Sequence, residues 1–349
     1  PYKPTLTPAP SLLRPHVIAR LRLTSWIPHS AASIPPTNEQ ERVRQVLSAG
    51  WDESTLATYG TGLLTYHVFC DALSITEETR TPTSPSLLSS FIAALAGSYS
   101  ASAIANYVAS LKAWHVLNRL EWRPNEDEVR VLMRAAAKTT PASSKKPKRA
   151  PVTISIITAI HANLDPENPL HTAVYACLTV AFYATARLGE MTVPNLEAFN
   201  PSLHPTRDCL ETIVDRTGIA TTILHLPKTK TSQTGEDVHW TGQEGLSDPV
   251  AAMDKHLRLN NPPATAHTFA YPHGKTFRPL TKRNFMLVVN MAVKKAELSP
   301  LQGHGIRIGS TLEYLLRGLS FEAMRTKGRW ASNAFSVYIT KHAEILAQH

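Results

Sequence analysis

Apolar residues recur along this chain at two different periods, and the change of period divides it. From Trp51 onward, Leu56, Tyr59, Leu63, Tyr66, Cys70 and Leu73 alternate at steps of three and four, the spacing that lines one face of a helix. Ser84 followed by Pro85 offers a capping hydroxyl and then a residue with no amide hydrogen to strand. A second helix is therefore expected there, with Leu87, Leu88, Phe91, Ile92 and Leu95 inward. A third is expected from about Ser102, burying Ile104, Tyr107, Val108, Leu111 and Trp114, and a fourth from about Asn125, carrying Val129, Leu132 and Met133. Four short amphipathic helices with brief connections predict an all-α bundle over residues 46–138.

On either side of that bundle the period is lost. Residues 1–45, with LTPAPSLLRP and ASIPPTNEQ, form a proline-rich arm that is not expected to adopt one fold. Residues 139–151, TTPASSKKPKRAP, read as an exposed basic linker between prolines. From 152 to 349 the pattern is mixed. Val152–His161 and Leu170–Thr185 are expected helices, the second apolar all round and so central to a core. The β-branched run IATTILHL at 219–226 predicts a strand, with Val238–Trp240 as its returning partner. Between them PKTKTSQTGED makes a polar turn that raises Lys228 and Lys230. Further helices are expected over Asp248–Leu259, Thr281–Glu297, Ile306–Arg317 and Phe321–Lys327. The fold class is mainly α with a small antiparallel β-sheet: a helical bundle followed by an α+β domain.

Composition narrows the partners. The chain has 36 Lys and Arg against 27 Asp and Glu, a formal charge of +9, which favours a polyanion and nucleic acid above all. No apolar run approaches the roughly 20 residues that span a bilayer, and the N-terminus has no signal-peptide core. A soluble, intracellular protein with no membrane partner is expected. Cys70, Cys177 and Cys209 are too few and too scattered for a zinc site or a disulfide framework and are expected reduced. Lys145, Lys146, Lys148 and Arg149 suit a DNA backbone, though the same cluster also suits a nuclear-import signal or a solvated linker.

The candidate chemistry gathers near the end of the chain. His304 and Arg307 are one helical turn apart and would share a face. Arginine holds phosphate through two parallel donors, and a tyrosine such as Tyr338 becomes a nucleophile only where its developing charge is neutralised. Arg187, just past the buried helix, is expected to be paired with Glu190, since an isolated buried charge costs several kcal/mol. Tyr314 is expected in the core, and packing roles for Trp330 and Tyr338 remain the structural alternatives.

Arg187, the turn bearing Lys230, the HxxR pair, GRW at 328–330 and Tyr338 follow the order and approximate spacing of the tyrosine recombinases. From about residue 51 to Tyr338 the chain resembles the phage integrase or Cre-like branch of that family and, more loosely, the recombinases of eukaryotic Crypton-type mobile elements. The resemblance implies a C-shaped DNA clamp made of a core-binding bundle and a catalytic domain. Catalytic roles fall to Tyr338, Arg187, Lys230, His304, Arg307 and Trp330, with Glu190 supporting and Lys228 on the DNA backbone or as the alternative general acid. Lys230 is expected to be partly desolvated beside the arginines, which would suit proton donation to a departing 5′-oxygen. Two departures are the eight-residue step from Trp330 to Tyr338 and the eleven residues after it, so that the C-terminal helix by which relatives dock onto a neighbouring subunit is expected to be either shorter or trimmed.

Further expectations follow from the resemblance. Tyr338 would form a 3′-phosphotyrosine and exchange strands through a Holliday junction, serving integration or excision of a mobile element. Two arginines would supply the charge a metal otherwise provides, so no metal or cofactor is expected. The partner would be double-stranded DNA with inverted-repeat target sites, bound by a homotetramer on two sites that is a monomer or weak oligomer when free. The protein would be DNA-associated, and nuclear in a eukaryotic host. A type IB topoisomerase and a domesticated DNA-binding protein that no longer cleaves are the competing readings.

Overall fold

The computed structural model describes residues 7–32, 37–144, 149–230 and 232–330. The chain divides into two compact units, Pro1–Pro147 and Lys148–His349. The first unit contains α1 (Ala19–Ser25), α2 (His29–Ala32), α3 (Asn38–Ser48), α4 (Glu53–Ala72), α5 (Glu77–Arg80), α6 (Pro85–Leu95), α7 (Ala101–Leu117) and α8 (Glu126–Lys138). Its core joins Leu63, Tyr66 and Cys70 of α4 to Leu88, Phe91, Ile92 and Leu95 of α6 and to Ile104, Leu111 and Trp114 of α7. The expected caps are present: Ser84 Oγ accepts from the Leu87 amide at 3.2 Å, and Asn125 Oδ1 from that of Glu128 at 3.2 Å. Leu73, counted with the α4 stripe, lies past the helix end and is exposed.

The proline-rich arm is more ordered than its sequence suggests. Leu23 and Trp26 are buried in the bundle core, and the Trp114 indole donates to the Trp26 carbonyl at 2.9 Å. A Cβ at Gly60 would lie 1.8 Å from the Ala19 carbonyl oxygen, so α1 and α4 touch backbone to backbone only because that position is glycine. Arg14 and Arg80 share the carboxylates of Asp71 and Glu77, with Arg80 to Asp71 at 2.6 Å. α3 starts in a reciprocal cap between Thr37 and Gln40. Helices this short show too few turns to register as a period, and their anchors find partners distant in sequence.

The second unit contains α9 (Ile154–Ala162), α10 (Pro169–Tyr183), β1 (Leu210–Val214), β2 (Ala220–Leu226), β3 (Glu236–Thr241), α11 (Pro249–Asn260), β4 (Tyr271–His273), β5 (Thr276–Arg278), α12 (Lys282–Lys295), α13 (His304–Leu316) and α14 (Phe321–Lys327). Every residue of α10 from Thr172 to Tyr183 is buried, as its apolar circumference implies. The sheet runs β1-β2-β3, antiparallel throughout, with Leu226 opposite Glu236 at the mouth of the lysine turn. Leu224, Leu226, Val238 and Trp240 enter the core from it. β1 escapes the sequence pattern because Glu211 to Val214 are all exposed, and the β4–β5 hairpin is too short to show alternation.

Hydrogen bonds on two sides fix α13 against its surroundings. Thr185 and Ser310 hydroxyls meet at 2.8 Å, and the Tyr314 hydroxyl donates to the Tyr183 carbonyl at 2.8 Å, which holds α13 along the end of α10. On its other side, the Val152 amide donates to the Gly305 carbonyl at 3.0 Å. Cβ atoms at Gly305 and Gly309 would lie 2.6 Å from the Ala150 oxygen and 1.7 Å from the Val152 oxygen, so residues 150–152 lie directly on the helix. No helix of the described residues is long and apolar enough to cross a membrane. The three cysteines are free, Cys70 and Cys177 buried and Cys209 partly so.

Candidate functional site

Arg187 leaves the buried end of α10 through a turn in which Thr185 takes φ +50°. The expected pair with Glu190 is present: Arg187 Nη1 donates to Glu190 Oε1 at 2.7 Å, and the Arg187 amide to Oε2 at 2.9 Å. A Cβ at Gly303 would lie 2.6 Å from Leu188, so the residue before His304 packs directly against the residue after Arg187. In this way α13 presents its first turn to the Arg187 turn.

His304 is half-buried and Arg307 buried. Burial pushes the His304 imidazole below its ordinary value, and the charges of Arg149, Arg307, Arg187 and Lys282 push it the same way. Four cations from four stretches of chain therefore act on one ring. Arg149 is anchored there by its Nε donating to Gln302 Oε1 at 3.0 Å. Lys282 begins α12 after its amide bonds the Val193 carbonyl at 3.0 Å, just beyond the Glu190 turn.

The GRW segment closes this cluster from the other side. The Arg307 guanidinium lies 4.4 Å from the Trp330 ring centroid and donates to the Gly328 carbonyl. A Cβ on Gly328 would fall 1.7 Å from the Trp330 ring, so the indole sits between the Gly328 backbone and Arg307. Arg329, with φ +54°, turns the opposite way and is only 10% exposed. Its Nη2 meets Glu190 Oε2 at 2.6 Å and its Nη1 meets Glu236 Oε2 at 3.2 Å. Burial raises the affinity of the Glu190 carboxylate for a proton, but Arg329 and Arg187 outweigh it and hold the group below the usual carboxylate range.

Glu236 opens β3 and also accepts from the Thr229 hydroxyl, in the turn between Lys228 and Lys230. Both lysines are exposed. The partly desolvated setting expected for Lys230 is thus not what the fold provides, because the turn reaches outward beyond the last ladder pair. Burial instead acts on Lys327, pushed down to about 8, with its ammonium 4.7 Å from the Tyr314 ring centroid. Tyr314 is packed against the core, as expected.

Arg187, Glu190, His304, Arg307, Trp330 and Arg149 therefore come together, with Lys228 and Lys230 linked to them through Thr229 and Glu236. Tyr338, Lys145, Lys146 and Lys148 lie outside the described residues. Sequence reasoning missed Arg329, Glu236 and Lys282. Arg329 stood inside the GRW motif, and Glu236 is visible only once the hairpin register sets it opposite Leu226. A separate cavity of about 210 Å³, lined by His161, His171, Tyr175, Leu246 and Lys255 among others, lies at the opposite end of α10.

No family model matches the sequence, and no curated protein matches it. Among solved structures the chain is similar to the XerH site-specific recombinase bound to palindromic difH substrate in a post-cleavage complex. The two are 10% identical with a TM-score of 0.57, over 95% of this chain and 92% of that one. It is also similar to XerH bound to difH in a pre-cleavage complex, 11% identical with a TM-score of 0.53, over 98% of each chain. The likeness is one of fold, which is mainly helical with small antiparallel sheets.

Proposed function

We propose that this chain, which has the fold of the tyrosine recombinases, is a site-specific DNA recombinase that breaks and rejoins DNA through Tyr338. The observation that carries the reading is the convergence of the Arg187 turn, the first turn of α13 and the GRW segment, with Gly303 packed on Leu188, Arg149 bonded to Gln302 and Arg307 stacked on Trp330, so that several cations act on His304. Such charge density in a half-buried site suits a phosphate whose equatorial oxygens gain charge in the transition state. The Tyr338 oxygen attacks phosphorus, the bond to the 5′-oxygen breaks, and a 3′-phosphotyrosine remains with a free 5′-hydroxyl. Arg187 and Arg307 clamp the non-bridging oxygens, and His304 hydrogen-bonds the phosphate and helps manage the phenol proton. Trp330 either donates its indole N–H or, as its stack on Arg307 supports, braces that guanidinium. Lys230, or Lys228 beside it, protonates the leaving oxygen.

Because the phosphotyrosyl link conserves bond energy, a 5′-hydroxyl from a second duplex reseals it without a nucleotide cofactor. Exchange between two inverted-repeat sites by a homotetramer, through a Holliday junction, would integrate or excise a mobile element, with the protein DNA-associated. The test is covalent trapping on a nicked duplex that loses its 5′-hydroxyl fragment after cleavage. Wild-type protein is expected to accumulate an adduct in excess EDTA, and Tyr338→Phe to bind the duplex without forming one. Binding without any adduct would leave a non-cleaving DNA-binding protein, and relaxation of a plasmid lacking a cognate site would favour a topoisomerase.

A further inference from the structure

Arg329 joins the two halves of the site. One face of its guanidinium holds Glu190, which in turn holds Arg187, and the other holds Glu236, which accepts from Thr229 in the lysine turn. The segment that leads toward Tyr338 is thereby tied to both the arginine clamp and the hairpin. Its backbone adopts φ +54°, a conformation that non-glycine residues occupy at a cost and that glycine would take freely. A strained, nearly buried backbone position thus places one guanidinium between two carboxylates.

We infer that Arg329 is a positioning residue that sets the lysine turn, and with it the general acid, against the phosphate held by Arg187. This rests on the recombinase reading above. Lys230 is exposed, so its turn needs an external restraint to aim one ammonium at one oxygen. Glu236 supplies that restraint, because the Thr229 hydroxyl binds the same carboxylate oxygen that Arg329 does. Ser232 closes the turn from the other side, its amide donating to Thr229 Oγ1 at 3.0 Å and its hydroxyl to the Gly235 carbonyl at 2.9 Å. Losing the guanidinium removes the tie between Glu236 and Glu190, and with it the link from the turn to the clamp, while Arg187 keeps its own bond to Glu190.

The test separates proton donation from every other contribution by changing the leaving atom. Single-turnover adduct formation is measured on two nicked duplexes, one natural and one with the 5′-bridging oxygen of the scissile phosphate replaced by sulfur. A thiolate leaves without being protonated, its conjugate acid having a pKa of about 8.5. Arg329→Gly removes the charge while relieving the backbone, and Glu236→Gln breaks the same link without touching that backbone. Both are expected to be slowed on the order of 100-fold on the natural duplex, the scale of a misplaced catalytic group, and to return to near the wild-type rate with sulfur. Equal slowing on both duplexes, or no slowing on either, by variants that still melt cooperatively overturns the inference. If wild-type protein forms no adduct with either duplex, the recombinase reading itself falls.

Discussion

Glu190 carries two guanidinium groups on one carboxylate, and four cations act on the His304 ring. Arg187 and Arg329 are held in place by that one carboxylate, while the cations about His304 shift its titration. The direction of the His304 shift makes this testable. An ordinary imidazole titrates near 6.5, and here burial and the neighbouring cations lower it. As pH falls, the unfolded chain takes up the proton first. The stability His304 contributes is therefore complete above about pH 6.5 and is lost as pH drops through the lower folded value. Its ring resonance is expected to titrate below 6.5 in the free protein and to move upward when duplex DNA is added, since phosphate offsets the cations. A midpoint at or above 6.5 without DNA would contradict this electrostatic account.

At the scale of elements, α13 sets the geometry of the site because it is fixed on both long sides. Ser310 and Tyr314 bind it to the end of α10, while Gly305 and Gly309 let residues 150–152 lie against its backbone. Gly309→Ala places a methyl 1.7 Å from the Val152 oxygen, a clash with backbone that no rotamer change relieves. Residues 150–152 or the helix must move, and with the helix His304 and Arg307. A loss of about 3 kcal/mol is expected in urea unfolding, at the upper end of overpacking costs, together with slower adduct formation. Unchanged stability would show that the approach is looser than described. A helix over Ile306–Arg317 was legible in the sequence, but its close approach to residues 150–152 was not.

At the scale of the whole molecule, a formal charge of +9 makes DNA affinity a function of salt. Each phosphate neutralised steepens the fall of log affinity with log salt by about 0.9. Replacing Lys145, Lys146 and Lys148 together with Ala is expected to flatten that slope by about 0.9 for each one that meets a phosphate. An unchanged slope would return these lysines to a solvated linker or an import signal. The same replacement should leave adduct formation by bound protein untouched, since these residues are assigned only to the backbone.

By itself the sequence determined the longer, strongly patterned elements, but not the short helices of the arm, β1 or the β4–β5 hairpin. The apolar stripes of α4, α6 and α7, the Ser84 and Asn125 caps, the all-round apolar α10 and the alternating β2 are local patterns, and local patterns survive translation into helices and strands. It also marked Arg187, Glu190, His304, Arg307 and Trp330, because residue type and order carry chemistry. Only the tertiary structure decided that α1 packs on Gly60, that Arg149 and Lys282 reach His304, and that Arg329 joins Glu190 to Glu236. Those are encounters between residues tens of positions apart or more, set by hairpin register and helix packing. No periodicity along a single chain records them.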